Sequence, residues 1–137
     1  MKIVENTKTN LEITITFPSQ ENIIIIPRLV ISGLLSTQKI TLEEIENIKL
    51  IVSEAINLLI DMNKQNHITT KFNLEDEDQK ILLKINISTK ISEYILQNFS
   101  KNGLTIHILT YLCSKFLVKE TENSIELIIE KEIKKIE

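Results

Sequence analysis

A chain of 137 residues is one domain's worth of sequence and long enough to bury a real core. Its 42% apolar and 26% charged residues are ordinary for a soluble globular protein. A net charge of −3 offers no basic footprint for nucleic acid, and two glycines in the whole chain argue against a glycine-rich phosphate cradle. The lone Cys113 excludes an internal disulfide and fits a reducing compartment. MKIVENTKTN has no apolar h-region, so no secretory signal is expected, and no apolar run approaches the roughly 20 residues of a membrane span. These features point to a cytoplasmic protein.

The first element is LEITITF. Leu11, Ile13, Ile15 and Phe17 fall on one face, Glu12, Thr14 and Thr16 on the other, the alternation of a half-buried strand. PSQEN reads as a turn. Pro27 is best placed in the first turn of a helix, which is expected to run through RLVISGLLS to about Thr37. Gly33 weakens that helix by about 1 kcal/mol relative to Ala. TLEE, from Thr41 to Glu44, is a capping box: the Thr41 hydroxyl can accept from a backbone amide, and Glu44 can reach back. Ile45, Ile48, Val52, Ala55, Leu59 and Met62 then recur at helical spacing. Ile51, Ile56 and Ile60 widen the stripe, so this is a central helix, ending near Asn63.

HITTKFNLE and KILLKINIS alternate and form a hairpin around the acidic turn DEDQ. ISEYILQNFSKNG reads as a short helix and loop. LTIHILTYLCSKF places Leu104, Ile108, Leu109, Leu112 and Phe116 at helical spacing. FLVKETENSIELIIEKEI closes as a second hairpin, turning at Glu122 to Ser124. This order predicts one α+β domain over residues 1–137, a two-layer sandwich of helices on one face of a mainly antiparallel sheet.

NIKLIVSEAINLLIDM resembles the central helix of the bacterial anti-sigma-factor serine kinases, small members of the GHKL (histidine kinase-like) ATPase superfamily. GLTIHILTYLCSKFLVKETENSIELII has the rhythm of that family's terminal helix and two strands, starting at Gly103, and the element order fits along almost the whole chain. The resemblance implies a GHKL-like fold. In the family, the helix carries a Glu that acts as base and, four residues later, an Asn that binds Mg²⁺. Glu54 matches the base. The Asn position holds Leu58, and Asn57 is one residue early, about 100° around the helix. A D-x-G-x-G box that reads adenine corresponds to NISTKIS, which has no Asp and no Gly. The glycine-rich lid is reduced to SKNGLT. Backbone cannot closely approach a phosphate where every residue carries a Cβ.

All three boxes are damaged, so no ATP, cofactor or metal ligand set is expected, and no catalytic residue. Glu54, Asn57 and Asp61 share one helical face and read as a solvated stripe. Leu58 falls beside them, as it would if side chains filled a former nucleotide pocket. His67 and His107 have no further ligands at zinc spacing, and LEDEDQ lacks the Gly and distal Glu of a calcium loop. Ser53 has no His partner. Cys113 reads as a small core residue.

The resemblance then implies a non-catalytic regulator of transcription in a partner-switching pathway, a pseudokinase binding a sigma factor or an anti-anti-sigma protein. Family analogy puts the contact on the first helix, at Arg28, Leu29 and Ile31. It also implies a homodimer formed through the N-terminal sheet region, for which the unbroken LEITITF strand offers an edge. The competing readings are an active ATP-dependent serine kinase with Glu54 as base, and a purely structural subunit.

Overall fold

A computed structural model describes residues 1–7, 10–62, 66–91 and 103–136. The chain forms strands β1 (Lys2–Thr7) and β2 (Asn10–Pro18), a short 3-10 turn (Glu21–Ile23) and helices α1 (Ile25–Ser36) and α2 (Leu42–Met62). There follow β3 (His67–Glu77), β4 (Lys80–Lys90), α3 (Gly103–Leu112), β5 (Lys115–Glu120) and β6 (Ser124–Lys134). The six strands form one sheet in the order β1-β2-β3-β4-β6-β5, with every neighbouring pair antiparallel. The α+β sandwich expected from the element order is the observed architecture.

Alternation assigns the two sheet faces. Ile13, Ile15 and Phe17 of β2, Ile68, Phe72 and Leu74 of β3, and Ile81, Leu83, Ile85 and Ile87 of β4 are buried. They meet Ile125, Leu127 and Ile129 of β6 and the apolar side of the helices in one core. The intervening residues form a mostly polar outer face, which also carries Leu82, Leu117 and Ile128. There Lys71 pairs with Glu12 at 3.0 Å and Lys84 with Glu75 at 3.1 Å. Such surface pairs contribute well under about 1 kcal/mol each; their value is in keeping that face wet, so helices cover one side only.

α2 is the middle of the helical layer, packed against both α1 and α3. It starts where the capping motif predicts, with the Glu44 amide donating to the Thr41 hydroxyl at 3.2 Å. The reciprocal half is not made: among the described residues, Glu44 Oε2 is buried without a hydrogen-bond partner. α1 begins at Ile25, two residues before Pro27. The proline still lies in the first turn, where its missing N–H breaks no helical bond.

Four expectations need correction. β1 is a strand, although KIVENT has no clear alternation; it pairs with β2 in a register that slips between Glu5 and Thr7. β2 is therefore an internal strand, and LEITITF is not the free edge invoked for dimerisation. The β3–β4 turn is only Asp78 and Gln79, because β3 runs on through Asp76 and Glu77 to meet β4, which starts at Lys80 as expected. Asp78 takes a positive φ of 41°, which Asp tolerates better than most residues. Phe116 lies on β5 rather than on the last helix, which ends at Leu112. The short helix expected at ISEYILQNFSKNG falls at 92–102, outside the described residues.

Candidate functional site

The stripe on α2 is placed as its spacing implies. Glu54 and Asn57 are half-buried and Asp61 is exposed. None of the three makes a hydrogen bond or ion pair among the described residues. Ser53 is turned back onto its own helix, donating to the Lys49 carbonyl at 2.9 Å, and is not held as a nucleophile.

Leu58 leaves the stripe. It is 1% exposed and belongs to the core cluster with Ile51, Ala55 and Leu59. At this position, one turn beyond Glu54, the α2 surface is closed by hydrocarbon. The segment NISTKIS, where the resemblance would put an adenine-reading box, stays in the sheet as far as it is described. Ser88, Thr89 and Lys90 remain in the β4 ladder, with Thr89 paired to Ile68 on one side and Ile125 on the other. The Thr89 hydroxyl donates to the His67 carbonyl at 2.8 Å. A loop that bends around a base cannot form from residues held on both edges by neighbouring strands. Of SKNGLT, where the resemblance would put a lid, only the part from Gly103 onward is described. There it is the first turn of α3.

A cleft of about 880 Å³ opens at one end of the sandwich. It lies between the α1–α2 connection, the β3–β4 turn and the end of β6, and Glu54 does not line it. The backbone closes its base: Lys135 N–H donates to the Gln79 carbonyl at 3.1 Å and Ile136 N–H to the Lys39 carbonyl at 2.8 Å. Two of the four lysines on its walls are met by carboxylates. Lys135 pairs with Asp76, and Lys80 lies between Glu132 and Glu77, which hold its ammonium above the ordinary lysine range. Lys39 and Lys134 also line the cleft and make no ion pair among the described residues.

Histidines and cysteine are equally quiet. His67 and His107 are exposed, and no group of three or more metal-capable side chains converges among the described residues. Cys113 sits just past α3, half-buried against the core. Burial pushes its thiol up to about 11, against the opposing pull of the Lys131 ammonium. Lys131 itself donates to the carbonyl of Leu112 at 2.6 Å, a cation on the C-terminal end of α3.

The first helix presents a different kind of surface. Ile25, Ile26 and Leu29 are 58%, 46% and 60% exposed on the side of α1 turned away from the core. Arg28 beside them is half-buried, and its Nε is shielded from solvent without a hydrogen-bond partner among the described residues. Of the three residues expected on a partner face, Leu29 is fully on the surface and Arg28 is at its margin. Ile31 is 0% exposed and is a core residue, so it takes no part. Sequence reasoning missed Ile25 and Ile26, which it read as an ambiguous apolar run. Their position one turn before Leu29 on the same helix was the available signal.

No family model matches the chain, and no curated protein matches it. No helix among the described residues is long and apolar enough to cross a membrane.

Proposed function

We propose that this chain is a GHKL-like domain of the anti-sigma-factor kinase type that has lost nucleotide chemistry and acts in the cytoplasm by binding protein. Its partner is a sigma factor or an anti-anti-sigma protein, and its output is control of transcription. The observation that carries the reading is the exposed apolar face of α1, formed by Ile25, Ile26 and Leu29 on a helix whose other side is firmly packed. Three large side chains clustered on one helical turn are costly to leave in water and mark contact surfaces. The burial of Leu58 and the unbroken β4 ladder at Thr89 support the loss of ATP chemistry. Arg28 supplies a fixed cation at the edge of the face, suited to a partner carboxylate.

Cross-linking of the tagged chain in its own host before lysis, followed by mass spectrometry, tests this. A sigma factor or its antagonist is expected, and Leu29→Glu or Arg28→Glu is expected to lose it with thermal unfolding nearly unchanged. Recovery of neither class, or equal recovery by both variants, removes the proposal. The protein is also proposed to be a homodimer, now through the outer edge of β1 rather than β2, which β1 covers. A monomer by light scattering at tens of micromolar would remove that part.

A further inference from the structure

The cleft at the end of the sandwich holds more positive charge than its own acids neutralise. Among the described residues, four lysines and two aspartates line it, a local surplus of two positive charges in a chain whose net charge is −3. The lysines come from three separate parts of the chain: Lys39 from the α1–α2 connection, Lys80 from the start of β4, and Lys134 and Lys135 from the end of β6 and just beyond it. Lys80 and Lys134 stand directly opposite each other in the β4–β6 ladder. Like charges in such a pair repel and weaken the sheet. Glu132 and Glu77 answer Lys80, at 3.3 Å and 3.7 Å. Among the described residues no acid answers Lys134 or Lys39. Two backbone hydrogen bonds fix the arrangement. The Ile136 N–H on the Lys39 carbonyl keeps the Lys39 backbone close to the Lys134 end of β6, and the Lys135 N–H on the Gln79 carbonyl ties that end to the turn before Lys80.

We infer that this cleft binds a small phosphate monoester, whose dianion supplies the acid that Lys39 and Lys134 lack. The size fits: about 880 Å³ lies within the roughly 300–1,000 Å³ of small-molecule sites. The donors fit as well. Lysine offers compact point charges with rotatable donors, a common phosphate grip, and no arginine fork suited to a planar carboxylate lines the cleft among the described residues. Gln38 and Gln79 place neutral amides on the walls for the rest of the molecule. A magnesium nucleotide is a poor occupant. No aromatic ring lines the cleft among the described residues, so nothing stacks a base, and the metal already takes phosphate oxygens. Asp78, also on the wall and without an ion pair among the described residues, opposes a bound anion and so gives the test a second sign. The site shares no residue with the α1 face at Ile25, Ile26 and Leu29, and it stands or falls independently of the partner proposed there.

The probe is glycerol phosphate, a dianion at neutral pH, titrated to millimolar concentration into the full chain and followed by amide proton–nitrogen NMR, with succinate as the carboxylate comparison. Saturable shifts are expected at the amides of Lys39, Gln79 and Ile136, and succinate is expected to bind more weakly. Lys39→Met and Lys134→Met are each expected to weaken binding at least about fivefold, through loss of one charge-assisted contact. Lys134→Met is also expected to keep or raise the thermal midpoint, because it ends the repulsion opposite Lys80; a lysine kept only for the fold would lower it. Asp78→Asn retains a side chain that tolerates the positive φ of 41° and is expected to strengthen binding a few-fold. Lys119→Met, on β5 and away from the cleft, is expected to change nothing. Absence of saturable shifts, shifts spread over lysines at large, or binding by the Lys39 and Lys134 variants equal to the parent's overturns the inference. Succinate binding as tightly as the phosphate overturns it too, because the cleft would then be a general anion trap.

Discussion

Leu58→Asn restores the amide that the kinases hold one turn beyond their catalytic Glu, and the structure predicts that it damages the fold without restoring chemistry. Leu58 is 1% exposed within the core cluster. Taking a leucine's hydrocarbon out of that cluster forfeits about 2–3 kcal/mol of burial. The new amide enters a site lined by apolar neighbours, and a buried polar group without partners costs about 1–3 kcal/mol more. The sum, about 3–6 kcal/mol, is a large share of the roughly 5–15 kcal/mol that holds a domain together. Urea unfolding followed by far-ultraviolet circular dichroism should show the unfolding free energy falling by that amount, through a lower midpoint and an unchanged slope. The thermal midpoint should fall by roughly 10–20 °C. A loss below about 1 kcal/mol would mean that water or a polar cavity already reaches position 58, and the argument that hydrocarbon fills the pocket would fail.

Three further outcomes follow from single contacts. Thr41→Ala removes the hydroxyl that accepts from the Glu44 amide, and should cost about 1 kcal/mol of stability in urea unfolding, the usual price of a lost N-cap. Lys131→Met keeps the length of the side chain but removes the cation at the Leu112 carbonyl, and should cost about 1 kcal/mol in the same assay. Cys113, held near 11 in the folded chain, should resist iodoacetamide at pH 8 and react fully only in denaturant. Because its folded pKa lies above the unfolded one, the unfolded chain ionises first as pH rises, so stability present below about pH 8.5 declines toward pH 11; Cys113→Ala should flatten that decline.

The legible parts of the fold were those in which local chemistry and burial agree. α2 announces itself because a Thr–Glu pair opens it and apolar residues then recur at helical spacing; β3 and β4 because every second residue is apolar. β1 was hidden because KIVENT does not alternate, and its pairing with β2 comes from a free sheet edge rather than from its own pattern. The acidic stretch was read as a wide turn because Asp76 and Glu77 look unfavourable in a strand. Lys135, from the far end of the chain, and Lys80, from just across the turn, make the strand tolerable. Phe116 was misplaced because nothing of Gly or Pro type separates α3 from β5; the break is made instead by Ser114, whose backbone N–H joins the β6 carbonyl of Glu130 at 2.9 Å. On α1, apolar residues surround the helix, so the sequence could not say that Ile31 faces in while Ile25 and Leu29 face out. That division depends on where α2 and the sheet lie. That position 58 is Leu rather than Asn, and that NISTKIS holds neither Asp nor Gly, was by contrast readable from residue identity alone.

The most direct test of the account is calorimetry of the unaltered chain with millimolar Mg-ATP and Mg-ADP. The metal-binding amide, the adenine-reading carboxylate and the backbone approach to phosphate act on different parts of one ligand. Losses of about 1–3 kcal/mol at each therefore compound to several decades of affinity, at about 1.4 kcal/mol per decade. The account predicts no measurable heat of binding with either nucleotide. Micromolar affinity for either would contradict it, and would return Glu54 to the role of a catalytic base.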